Sequence, residues 1–144
     1  MTKGSMVSTR QASLLVAFMW VAYFLNYSDR QAIFSMFPSL EVDLNMTNKQ
    51  LGLVGAIFLW VYAFCCPIAG YLADRFSKRL LVILSLILWS LVTIATGFAG
   101  SALIILSLRA MMGVSEALFM PTAIALTADA HPPSLRSRAI AILT

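Results

Sequence analysis

The sequence predicts an all-α membrane protein with four transmembrane helices and the start of a fifth. Three observations predict it. Of 144 residues, 60% are hydrophobic and 11% charged, and the mean hydropathy is +0.88, far from the mix of a soluble domain. Apolar runs long enough to cross a hydrocarbon core recur along the chain. Basic residues outside those runs gather in short intervening segments, as topology signals do, so the net charge of +4 does not point to nucleic acid.

The first span is expected from about Ala12 to Phe37 and the second from about Gln50 to Ala73. The third is expected from about Leu80 to Ala99, the fourth from about Ala102 to Ala128, and a fifth begins near Arg138. No cap or polar tail closes the last helix at Thr144, so the chain is expected to be the N-terminal piece of a longer one. Residues 1–11 read as a cytoplasmic N-terminus and residues 12–144 as a truncated helix bundle. The first apolar stretch is too long for a cleaved signal peptide and carries Asp29 and Arg30, so it reads as a true span.

With the N-terminus inside, Lys3, Arg10, Arg75, Lys78, Arg79, Arg136 and Arg138 fall on the cytoplasmic side and Lys49 alone outside. That asymmetry follows the positive-inside rule, and a multi-pass protein of the cell membrane is expected. Cys65 and Cys66, adjacent in mid-span, read as apolar filling rather than a disulfide or metal site. His131, in a Pro-rich loop, reads as a solvated residue. No nucleophile–base pair or metal cluster stands out, so no enzyme is expected.

Four charges lie inside the apolar runs: Asp29, Arg30, Arg109 and Glu116. One charge at the centre of a membrane helix costs roughly 2.5–3.5 kcal/mol on insertion scales. Such residues therefore pair with one another or line a watery cavity, and they mark a path for ions or substrate. Two acids and two bases leave the set neutral. By helical rise, Asp29 and Arg30 lie roughly 10–13 Å below the outer end of span one, and Arg109 roughly 10–12 Å below the outer start of span four. An Asp29–Arg109 pair is thus expected. Glu116 is two turns beyond Arg109 on nearly the same face, roughly 10 Å deeper, with Tyr27 and Tyr62 between the two levels. Two structural ion pairs locking the bundle are the bland alternative, but a lock needs only one acid and one base. Spans one and four also hold equivalent places in three-helix units, the repeats between which transporters set their substrate sites.

Three motifs carry a family resemblance. The segment from Gly70 through Asp74, Arg75, Lys78 and Arg79 resembles the Gly-x-Leu-x-Asp-Arg-x-Gly-Arg/Lys-Arg/Lys signature of the major facilitator superfamily, with Ser77 where glycine is usual. Gly70 would let another helix approach closely, and Asp74 could sit at a helix N-terminus, where negative charge is favoured. Arg109-x-x-x-Gly113-x-x-x-Ala117 resembles a pattern of proton-coupled members, with a small-xxx-small face for close helix contact. Asn26-Tyr27-Ser28-Asp29-Arg30, taken with Arg109, Gly113-x-x-Glu116-Ala117 and Pro121, resembles the anion:cation symporter family of that superfamily.

The resemblance covers essentially all 144 residues and implies the N-terminal part of a twelve-helix bundle. It implies proton-coupled symport of a small organic anion, such as a sugar acid of the hexuronate or galactonate kind. Asp29 and Glu116 would take up protons, and Arg109 would pair with the aspartate. Arg30 would hold the substrate carboxylate, bordered by Tyr27 and Tyr62. Gly70, Asp74, Arg75 and Arg79 would latch one conformational state. Protons would be the coupling ion, with no cofactor and no nucleic acid. The expected partners are the organic anion, the lipid bilayer and a C-terminal bundle of the same chain, in a monomer. Spinster-like lysolipid and sphingolipid carriers resemble the chain around the same motifs and are the closest competitor. A non-transporting sensor on this fold and a dimeric four-helix exporter are more distant ones.

Overall fold

The computed structural model describes residues 9–143. Lys3 lies outside them. Six helices follow in order: α1 Thr9–Ser35, α2 Phe37–Asp43, α3 Asn48–Arg75, α4 Lys78–Thr96, α5 Ala102–Ala130 and α6 Pro133–Leu143. Three of them, α3, α4 and α5, are long and apolar enough to cross a membrane. α1 has comparable length, 27 residues, but six consecutive positions from Asn26 to Gln31 are polar or aromatic-polar, which lowers its hydropathy.

Two boundaries differ from expectation. The segment between the first two spans folds into the short α2, started by Pro38 in its first turn, where a missing N–H is no loss. Asn45, at φ 51°, ends it in the left-handed conformation that asparagine tolerates. α6 begins at Pro133 rather than near Arg138, because proline with its preset φ suits the first helical position. α3 starts on a capping box: the Thr47 side chain accepts from the Gln50 backbone N–H, and Gln50 Oε1 accepts from the Thr47 N–H at 2.8 Å. α5 starts on Ser101, whose hydroxyl accepts from Ile104 N–H.

α5 is the central helix and carries most of the buried polar side chains. Its closest neighbour is α3. A Cβ built on Gly113 would stand 2.8 Å from the Phe58 carbonyl oxygen and 3.1 Å from the Tyr62 nitrogen, so α5 lies flush on the α3 backbone. Gly70 is different: a Cβ there meets nothing within 4 Å, and the close helix approach expected at that glycine is absent among the described residues.

Apolar side chains close the bundle on either side of the polar level. Toward one end Met19 and Ala22 of α1 meet Val82, Phe119, Ala123 and Leu143. Toward the other, Ile33 meets Leu40, Met46, Leu51, Val54 and Ile105. Asn26, Asp29 and Arg30 fall between these clusters on α1, as do Arg109 and Glu116 on α5. The outer surface is apolar too, with Phe18, Trp60, Phe64, Ile87 and Leu103 exposed, as lipid contact requires. Cys65 and Cys66 are free thiols, half-buried in α3.

Gly113→Ala is expected to cost about 1–3 kcal/mol through overpacking against α3. Gly70→Ala, in open space, is expected to be neutral or to stabilise by up to about 1 kcal/mol. Thermal unfolding of the two variants in detergent, side by side, checks the contrast.

Candidate functional site: a charged chamber between α1 and α5

Glu116 is 1% exposed and Arg109 5%, burial that a charged side chain tolerates only with partners. Glu116 finds them on α1. Arg30 forms an ion pair with its Oε2 through Nη2. With its amide oriented to donate, Asn26 lies 2.8 Å from Oε1 and 3.2 Å from Oε2. Residues 26 and 30 are one helical turn apart and so share a face, which brings both donors to one carboxylate.

The Arg30 guanidinium also lies over two rings of α3, 4.7 Å from the Phe58 centroid and 5.6 Å from that of Tyr62. These rings stack on each other at 6.1 Å. Cation–π attraction of this kind strengthens away from water. Arg30 Nε is buried and has no hydrogen-bond partner. The side chain therefore holds Glu116 with one corner and keeps donors unspent.

Asp29 faces another way. Its Oδ2 accepts from Thr93 Oγ1 at 2.9 Å and from Trp89 Nε1 at 3.1 Å, both on α4. The expected Asp29–Arg109 ion pair is absent, because the donors of α4 occupy the aspartate first. Arg109 makes no ion pair among the described residues, although Asp29 and Glu116 both act on it electrostatically. It forms part of the wall of two cavities. One, of about 350 Å³, is lined by Tyr27, Arg30, Gln31, Phe34, Phe58 and Arg109 among others. The other, of about 180 Å³, is lined by Asp29, Thr93, Thr96, Arg109 and Met112 among others. Tyr27 borders the larger one and is half-exposed, while Tyr62 reaches the site through Arg30.

Residues 19–144 match the Major Facilitator Superfamily. The chain belongs to that superfamily. Residues along 76% of its length are 40% identical to a probable sulfoacetate transporter, SauU, of Cupriavidus necator, covering 26% of that protein. It is 31% identical to human protein spinster homolog 1 over 94% of its length and 26% of the relative's. A crystal structure of a bacterial homologue of the human lysosomal transporter Spinster, inward-facing and unoccupied, superposes with a TM-score of 0.89. That pair shares 28% identity over 94% of this chain and 29% of the other. The chain thus spans about a quarter of the length of the curated relatives it matches.

The facilitator signature between α3 and α4 does not join its own charges in this structure. Asp74 lies in the last turn of α3, the end opposite a helix N-terminus, and is exposed. Arg75 stacks on Tyr71 at 4.7 Å, and Arg79 is exposed. The tie is made instead by Lys78, whose Nζ meets Asp129 near the end of α5 at 2.5 Å. His131 is half-buried rather than solvated: it ends α5, its Nδ1 lies 2.8 Å from the Thr127 carbonyl, and its own carbonyl accepts from Arg136.

Sequence reasoning missed Asn26 as a partner of Glu116, and missed Trp89, Thr93 and Phe58 altogether. Asn26 had a signal, its place one turn before Arg30. Trp89 and Thr93 had a weaker one: they are four apart on one face of a span without acids. Among the described residues, no three of His, Cys, Asp and Glu come together to hold a metal.

Thr93→Val keeps the volume and removes one of the two donors to Asp29. It is expected to cost about 1–3 kcal/mol, read by thermal unfolding, and to shorten the Asp29–Arg109 distance in the variant's structure.

Proposed function

We propose that the protein is a proton-coupled symporter of a small organic anion, such as a sugar acid or a sulfonated acid. The observation that carries this reading is Arg30 in the wall of the 350 Å³ cavity, with its Nε unpartnered and a buried acid on its other corner. A guanidinium fork matches a carboxylate or sulfonate through parallel hydrogen bonds. The 40% identity to a probable sulfoacetate transporter supports an acid of this size.

In this mechanism a proton on Glu116 ends its claim on Arg30, and the freed guanidinium takes the substrate's acid group. Proton and anion then enter together because each makes room for the other. Asp29 is the second proton site, held by Trp89 and Thr93, with Arg109 as the charge nearby. Tyr27 and Tyr62 border the anion. Substrate binding closes the chamber and drives rocking against a C-terminal bundle of the same chain, in a monomer with no cofactor. The N-terminus lies on the cytoplasmic side of the cell membrane in this reading, which the distribution of basic segments supports. Gly70, Asp74, Arg75 and Arg79 act with Lys78 and Asp129 to hold one end state.

A second reading, a spinster-like lipid carrier, is favoured by a groove of about 740 Å³ between α1 and α6. Val16, Trp20, Leu135 and Ile142 give it apolar walls, with Arg138 among them, a shape that suits an acyl chain and an anionic head.

Two substitutions in the complete carrier, reconstituted in liposomes, test the first reading. Glu116→Gln is expected to abolish uptake driven by a pH gradient while leaving counterflow of the same anion measurable; unchanged gradient-driven uptake removes the proton role of Glu116. Arg30→Lys is expected to weaken anion binding by roughly tenfold or more, since a point charge cannot reproduce the fork. Unaltered affinity in calorimetry overturns the substrate role of Arg30.

A further inference from the structure

We infer that the chamber is built for a dianion, with Arg109 as the arm that takes the second negative group. The inference rests on the organic-anion reading above and narrows its substrate class. Its starting point is an imbalance between charges and bonds. The four charges at this level, Arg109 and Glu116 buried and Asp29 and Arg30 half-buried, sum to zero, yet both acids have their short contacts elsewhere. Glu116 is held by Arg30 and Asn26, and Asp29 by Trp89 and Thr93. Arg109, 5% exposed, is left with the fields of the two carboxylates and no ion pair to either. Its side chain borders both cavities of the site, so an incoming anion meets a guanidinium that no acid of the bundle has claimed.

The position of Arg109 specifies where that anion sits. It shares the wall of the 350 Å³ cavity with Arg30, and the remaining wall is largely apolar, from Ile33, Phe34, Val54, Phe58 and Leu59. Two guanidinium groups on one largely apolar chamber, with Tyr27 and Gln31 as its other polar wall residues, match a short molecule carrying an acid group at each end. A monoanion leaves one arginine without a partner. The wall that this part of the bundle contributes encloses about 350 Å³, room for a short molecule between the two guanidinium groups. Charge balance agrees: a dianion adds two negative charges, and protons on Asp29 and Glu116 return the chamber to neutrality.

The test is a binding series on the complete wild-type carrier in detergent at pH 7, using matched pairs that differ by one charge. Malonate is set against monomethyl malonate, succinate against monomethyl succinate, and galactarate against galactonate. Wherever either member of a pair binds, the dianion is expected to bind roughly tenfold or more tightly, the value of one charge-assisted contact. Arg109→Gln is expected to bring that ratio close to one, and Arg109→Lys to restore part of it. Equal affinity within the wild-type pairs overturns the dianion assignment and leaves the organic-anion reading standing. Failure of every mono- and dianion to bind removes both. A ratio that survives Arg109→Gln in folded protein takes the second group away from Arg109. If that variant does not fold, the wild-type ratios decide.

Discussion

A carboxylate almost fully withdrawn from solvent keeps its charge only where donors are brought to it, and Glu116 obtains its donors from another helix. That requirement organises the middle of the bundle. α1 has to present Asn26 and Arg30 on one face, at the depth where α5 turns Glu116 inward. Gly113, one turn after Arg109 and three residues before Glu116, then has to be bare so that α5 can lie on α3 beside Phe58 and Tyr62. Their rings hold the other side of the same guanidinium. Helix contact and electrostatics are thus one problem solved at one level, with apolar clusters above and below limiting access of water.

Much of this was legible because membrane helices have few ways to hide a charge. Depth along a straight helix follows from residue number alone, so a shared level for Asp29, Arg30 and Arg109, with Glu116 roughly 10 Å deeper, could be read from spacing. Pairing could not. Which acid meets which base depends on rotation about each helix axis and on neutral donors, and Trp89 and Thr93 decide the matter for Asp29 without carrying charge. The same limit explains the loop between α3 and α4. Its motif was plain, but the contact that forms there reaches Asp129, about fifty residues away in sequence, at a position no local pattern marks.

The glycines show a similar divide. Gly113 and Gly70 both stood in motifs that suggest close helix approach, and only the first is approached. A small residue permits contact without requiring it, so the pattern names candidates and the neighbouring backbone selects among them. The short α2 and the early start of α6 were within reach of local rules, since Pro38 and Pro133 each sit where proline opens a helix.

The distribution of attachments around α1 carries one further consequence. α3 and α5 are seated backbone to backbone at Gly113, a joint that titration does not touch. In its middle third, by contrast, α1 is tethered to its neighbours through Asn26, Asp29 and Arg30, and each hydrogen bond or ion pair among those tethers involves an ionisable acid, beside the α3 rings that face Arg30. The polar grip on α1 is therefore gathered on two carboxylates, Glu116 and Asp29, whereas the seat of α5 on α3 involves no ionisable group.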